Sequence, residues 1–194
     1  MRLAFFGLWV GLFLGPHAGL AKFNSIQIWA RVANTSITDR SILIESIIEN
    51  PSLWSTSALN ISIEAQNLSF QRLLIQAMVL EENRIFRSEN VTQDEVMRDF
   101  RKLERQLGAQ FKNFSNYFEL NDQKLKEKIF ARILLEKSLK SRVKNYAQNL
   151  SERDQRRIIE DWISQLRGRY KIQNFRLDKN NPRLKFITGE NSGS

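Results

Sequence analysis

Two segments of this chain carry the two-residue hydrophobic period of a strand. They stand near opposite ends, with only helical patterning between them. Near the start, Ile26, Ile28, Ala30 and Val32 alternate with Gln27, Trp29 and Arg31. Near the end, Tyr170, Ile172 and Asn174 repeat the alternation, which reaches Leu177 at its widest. A lone strand leaves its backbone N–H and C=O groups without partners. The two segments are therefore expected to pair with each other. The fold class that follows is mostly α: a multi-helix domain with a small two-stranded sheet joining its N- and C-terminal ends.

The helices between them are marked by their caps. Asn34-Thr35-Ser36 reads as a turn, and Thr38 caps a helix carrying Ile42, Leu43, Ile47 and Ile48. Asn50-Pro51 ends that helix, because proline disfavours helical backbone at the residue before it. Residues 51–60 read as an irregular connection. An apolar helix then runs from Ile61 or Ser69 to Phe86, with apolar residues on more than one face, as a central element requires. Thr92 and Glu95 form a capping box. The helix they open lines up Val96, Phe100, Leu103 and Leu107 and stops at Gly108. Phe111, Phe114, Tyr117 and Phe118 crowd into a short amphipathic helix. Asn121 caps the longest helix, to about Gln148, with Leu125, Ile129, Ile133, Leu135, Leu139, Val143 and Tyr146 inward. Ser151 and Asp154 begin the last, through Ile158, Trp162 and Leu166.

Residues 1–21 have the layout of a secretory signal peptide. Arg2 precedes an apolar run from Leu3 to Leu14, Gly15-Pro16 breaks it, and Gly19 and Ala21 are the small residues a signal peptidase reads, with cleavage after Ala21. That run is too short to span a bilayer, and no later segment reaches the ~20 apolar residues a span needs. The remainder divides into one domain, 22–178, and an Asn-, Ser- and Gly-rich tail, 179–194, expected to be flexible. Export in a chain without cysteine points to a bacterial periplasm, since extracellular domains often rely on disulfides.

Chemistry is scarce. The one histidine, His17, lies in the signal segment, so the exported product has neither of the side chains most used for metal binding and for proton transfer near neutral pH. No phosphate loop, dinucleotide fingerprint or nucleophile elbow occurs. No catalytic residue, metal or cofactor is expected, and the chain is not read as an enzyme. The adjacent acids Glu81-Glu82 and Glu160-Asp161 read as solvated helix faces. The 30 Lys and Arg outnumber the 21 Asp and Glu, a formal charge of +9. Cations concentrate in the last third, with Lys137, Lys140, Arg142 and Lys144 followed by Arg153, Arg156 and Arg157. An exported protein rarely meets nucleic acid, so these cations are either a solvated face or contacts for acidic polypeptide or anionic headgroups. The aromatic set Phe111, Phe114, Tyr117 and Phe118 has the spacing of a core helix and equally of a groove for apolar peptide.

The order of elements resembles the core of SurA-type periplasmic chaperones. A strand ending in an Asn turn and followed by "SITDRSIL" is similar to their opening. "RLLIQAMVLEENRIFRSENVTQDEVMRDFRKLERQLG" and "FSNYFELNDQKLKEKIFARILLEKSLKSRV" are similar to the helices that follow. "LSERDQRRIIEDWISQLRGRYKI" resembles the segment that returns to complete that core, with Trp162, Leu166, Arg167, Tyr170 and Ile172 on its pattern. The likeness covers roughly residues 26–176. Only about Asn145 to Leu150 stand where such families insert parvulin domains of roughly a hundred residues each. The resemblance thus implies a chaperone core without prolyl isomerase activity. It implies ATP-independent holding of unfolded exported polypeptides, outer-membrane proteins among them, by a protein with no nucleic-acid partner. The candidate peptide-binding residues are Phe111, Phe114, Tyr117, Phe118 and Trp54, with a basic rim of Arg153, Arg156 and Arg157. The alternative is a dedicated assembly subunit that uses the same fold to hold one envelope partner. A homodimer formed by element exchange is compatible with distant paired ends.

Overall fold

The computed structural model describes residues 26–54, 59, 61–144 and 151–175. The signal segment, Tyr146 and everything beyond Phe175, including the 179–194 tail, lie outside the described residues. Strand β1 (Ile28–Val32) turns through Ala33-Asn34 into β2 (Thr35–Thr38), and helix α1 (Asp39–Glu49) follows directly. A short 3-10 turn (Pro51–Leu53) leads to Trp54. Then come α2 (Ile63–Phe86), α3 (Gln93–Leu107), α4 (Phe111–Tyr117), α5 (Asp122–Lys144), α6 (Glu152–Arg169) and β3 (Ile172–Asn174). The protein is mostly helical with one small antiparallel sheet.

The ends do pair: β1 and β3 run antiparallel, with Ala30 opposite Asn174 and Val32 opposite Ile172. The sheet, however, has three strands in the order β2-β1-β3 rather than two. The stretch read as a turn at Asn34-Thr35-Ser36 is a two-residue turn at Ala33-Asn34, with Ala33 at φ 48, and Thr35 and Ser36 already belong to a strand. A register shift between Ile28 and Ala30 changes the face of β1. Trp29, Ala30 and Val32 are buried, while Ile28 and Ile26 stay exposed, so the simple alternation does not persist along the whole strand.

The helix boundaries follow from local chemistry. The Thr38 hydroxyl accepts from Ser41 N–H, and Ser41 Oγ in turn accepts from Thr38 N–H. Thr92 and Glu95 form the same reciprocal pair at the start of α3, and Asn121 Oδ1 accepts from Lys124 N–H at the start of α5. Gly108 ends α3 at φ 52. Two apolar clusters result. One gathers the sheet, the middle of α2, the second half of α5, and Trp162 and Leu166 of α6. The other gathers α1, Trp54, the buried stripe of α3, α4 and the first half of α5. Among the described residues, no helix is long and apolar enough to cross a membrane.

Candidate peptide-binding site

Of the five candidate aromatics, Trp54, Phe114, Tyr117 and Phe118 meet. The 3-10 turn after α1 turns Trp54 inward, where its ring lies 5.6 Å from Phe114, 5.5 Å from Tyr117 and 5.8 Å from Phe118. Phe114 and Phe118 pack at 5.4 Å, and Phe111 meets Phe100 edge-on at 5.7 Å. Arg40, in the first turn of α1, fixes the end of α4. Its guanidinium donates to the Phe118 carbonyl and pairs with Glu119 at 3.1 Å. The cluster is core rather than groove. Phe114 and Phe118 are 0% and 1% exposed and Trp54 is 7%, so only Phe111 and Tyr117 are partly accessible. An aromatic residue has much apolar surface to remove from water, and these rings cover one another.

The basic set is elsewhere. Arg153, Arg156 and Arg157 are exposed on the first turns of α6, with Arg156 3.8 Å from Glu152. Because α6 packs in the sheet-side cluster, these cations do not frame the aromatics, and the expected rim is not assembled. Other cations of the same stretch tie helices together. Lys137 donates to Asn90 C=O at 2.6 Å and to Glu95 at 2.7 Å. Arg142 and Arg169 reach Glu82 at 3.6 and 3.0 Å, and Arg142 lies 5.2 Å over the Trp162 ring. Glu82, read from sequence as a solvated acid, is therefore buried. Its α2 position turns toward α6, and two arginines compensate its charge.

An open apolar groove lies on α5 instead. It consists of two hollows that share Leu80 and Glu127. The larger, about 540 Å³, is walled by Leu80, Val91, Val96, Met97 and Phe130, between the end of α2, the start of α3 and α5. The smaller, about 350 Å³, lies between β2, α2 and α5, with Ile37, Leu73, Ala77 and Leu120 in its wall. Lysines border both: Lys126 the first, and Lys124 and Lys128 the second. Glu127 between them accepts from Gln123 Nε2 at 3.1 Å. Behind the smaller hollow sits a buried polar pair, Gln76 Nε2 donating to Glu45 at 2.9 Å. Burial pushes the Glu45 carboxyl up against the opposing pull of Arg132 and Arg72. Burial also draws the Lys128 ammonium down, opposed by Glu45.

Sequence reasoning did not single out these groove residues. Lys124, Lys126 and Lys128 are scattered through an ordinary amphipathic pattern, and only the partner elements show which rows of α5 stay uncovered. The available signal was Lys124 and Lys128, four apart and turned away from the inward row of Leu125, Ile129 and Ile133. The arrangement offers apolar walls whose border carries both lysines and the Glu127 carboxylate. Among the described residues, no group of His, Asp and Glu is placed to hold a metal ion. No protein-family model and no curated protein matches this chain.

Proposed function

We propose that this chain is an ATP-independent, holdase-type chaperone of the bacterial periplasm, related to the SurA-type core and without prolyl isomerase or other catalytic activity. The observation that carries the reading is the open groove of about 540 and 350 Å³, apolar in its walls and lysine-bordered. Such a surface takes extended apolar segments without demanding one sequence, and Met97 in its wall offers an adaptable contact. The element order also supports it: a strand near the start, then helices, then a returning helix whose following strand pairs with β1. In this reading, unfolded clients, outer-membrane polypeptides among them, contact the groove first. The buried aromatic set holds the domain together, and Phe111 and Tyr117 are its accessible members.

The test is light scattering of a barrel-type outer-membrane protein diluted from urea, with and without the purified protein, repeated with an unrelated client. Suppression of aggregation of both at near-stoichiometric ratio is the expected result. Failure with both overturns the holdase reading. A pull-down that then recovers one folded envelope partner identifies an assembly subunit.

A further inference from the structure

Helix α2 leaves the body of the protein at its end. Glu82 is the last residue it buries. Arg84, Ile85, Phe86 and the capping Arg87 are all exposed, and four successive residues span almost a full helical turn. A helix end lying against a core would bury at least one of them, so this turn stands clear on every side. Two of its four side chains are large and apolar, with Ile85 56% and Phe86 63% exposed. Neither borders the groove on α5.

Cations surround the pair. Arg84 precedes it and Arg87 follows it. Arg87 holds the left-handed position that closes α2, at φ 48, where glycine would cost less. The end of α6 lies alongside. Arg169 reaches Glu82 at 3.0 Å, the Tyr170 phenol stands in the field of Glu82, Glu81 and Arg84, and exposed Lys171 follows. Two acids here are already engaged, Glu81 by Arg84 at 2.9 Å and Glu82 by Arg142 and Arg169. Glu89 is the remaining acid of the α2–α3 link. Among the described residues, no ion pair holds Arg87 or Lys171. Arg84, Arg87, Arg142, Arg169 and Lys171 thus outnumber Glu81, Glu82 and Glu89.

The shape selects the occupant. A convex tip one turn long offers far less than the ~800 Å² per partner that a stable protein interface buries. It also lacks a concave wall to hold a peptide. A fluid surface closes round a convex tip whatever its outline. Apolar side chains entering the acyl boundary, with arginine and lysine heads at the phosphates beside them, are the chemistry of an interfacial anchor.

We propose that this tip rests on an anionic phospholipid bilayer, with Ile85 and Phe86 dipping below the headgroups and Arg87 and Lys171 meeting their phosphates. Contact of this size is reversible, a surface attachment rather than a span. The inference goes beyond the holdase reading and does not depend on it. Because neither apolar residue borders the groove, attachment and groove binding are separable.

The experiment sediments the purified protein with vesicles of phosphatidylcholine alone and of phosphatidylcholine with about one-third phosphatidylglycerol. At low salt the protein is expected to bind the anionic vesicles about tenfold or more tighter than the neutral ones. Ile85→Ser combined with Phe86→Ser weakens that binding about tenfold. Arg87→Gly weakens it about threefold to fivefold, while its urea midpoint does not fall. Equal binding to both vesicles overturns the proposal. So does a double variant that still binds the anionic vesicles like the parent, since the basic surface then needs no tip. Sedimentation velocity and the scattering assay cover the other occupants. Self-association that the double variant abolishes, with no vesicle binding by the parent, assigns the tip to a second copy and overturns the proposal. Client holding that the double variant abolishes, again without vesicle binding, assigns it to polypeptide and does the same. Vesicle binding lost in the double variant with client holding unchanged supports the anchor and leaves the holdase reading standing.

Discussion

Glu82 and Glu95 show how differently two carboxylates on this surface of helices behave. Glu82 is buried and held by Arg142 and Arg169, whose side chains are 40% and 53% exposed. Replacing both arginines by alanine leaves the carboxylate buried without a partner. The expected cost is about 2–3 kcal/mol in urea unfolding, below that of a fully buried pair because both guanidinium groups reach solvent. Adding Glu82→Met in that background is expected to restore most of the loss; if it does not, the carboxylate is not the source of the cost. Glu95 is instead held by the Lys137 ammonium and the Thr92 backbone N–H, which lower its carboxyl from about 4.5 to about 2. The folded state therefore prefers the carboxylate. That contribution is full above the ordinary value and is lost as pH falls from about 4.5 toward 2. Urea midpoints of the protein and of Glu95→Gln should differ at neutral pH and converge over that acid window. The Glu95 cap was readable from its spacing to Thr92. The fate of Glu82 was not, because its partners come from α5 and α6, and no local pattern brings them to α2.

At the scale of elements, what local chemistry decides was legible and what packing decides was not. Caps at Thr38, Thr92, Asn121 and Ser151, and the stop at Gly108, fall where side chains satisfy or release the helix ends. Gly108 offers a sharp test, since it sits at φ 52 and ψ −130 with open space around the position of a Cβ. Gly108→Ala meets no clash, so its expected cost of about 1–3 kcal/mol, read by thermal unfolding, is backbone strain alone. A neutral result would mean that the α3–α4 turn relaxes. The third strand escaped notice because Thr35 and Ser36 have turn-like composition, and the turn proper needs a positive φ at Ala33, which alanine does not advertise. The face change in β1 is likewise a register effect, invisible in the alternation itself.

For the molecule as a whole, α2 and α5 act as a shared spine. Leu74, Ala77 and Met78 of α2 and Leu134 of α5 serve the sheet-side cluster, while Leu125 and Ile129 of α5 serve the aromatic one. Trp54→Ala should empty the centre of the aromatic cluster at a cost of about 3–5 kcal/mol in denaturant unfolding. The protein that remains folded should keep its groove affinity, because Trp54 does not border either hollow. Loss of peptide binding at temperatures where the variant is fully folded would return the aromatics to the binding surface. The pairing of β1 with β3 has a further consequence, in time rather than in space. A chain that emerges N-terminus first can form the β1–β2 hairpin and its helices early, but the other edge of β1 must wait until residues 172–174 arrive. Closure thus joins segments more than 130 residues apart, and it waits until residues 172–174 have been made. Until then this candidate chaperone carries a bare strand edge of its own, and for that interval it belongs to the class of chains it is proposed to protect.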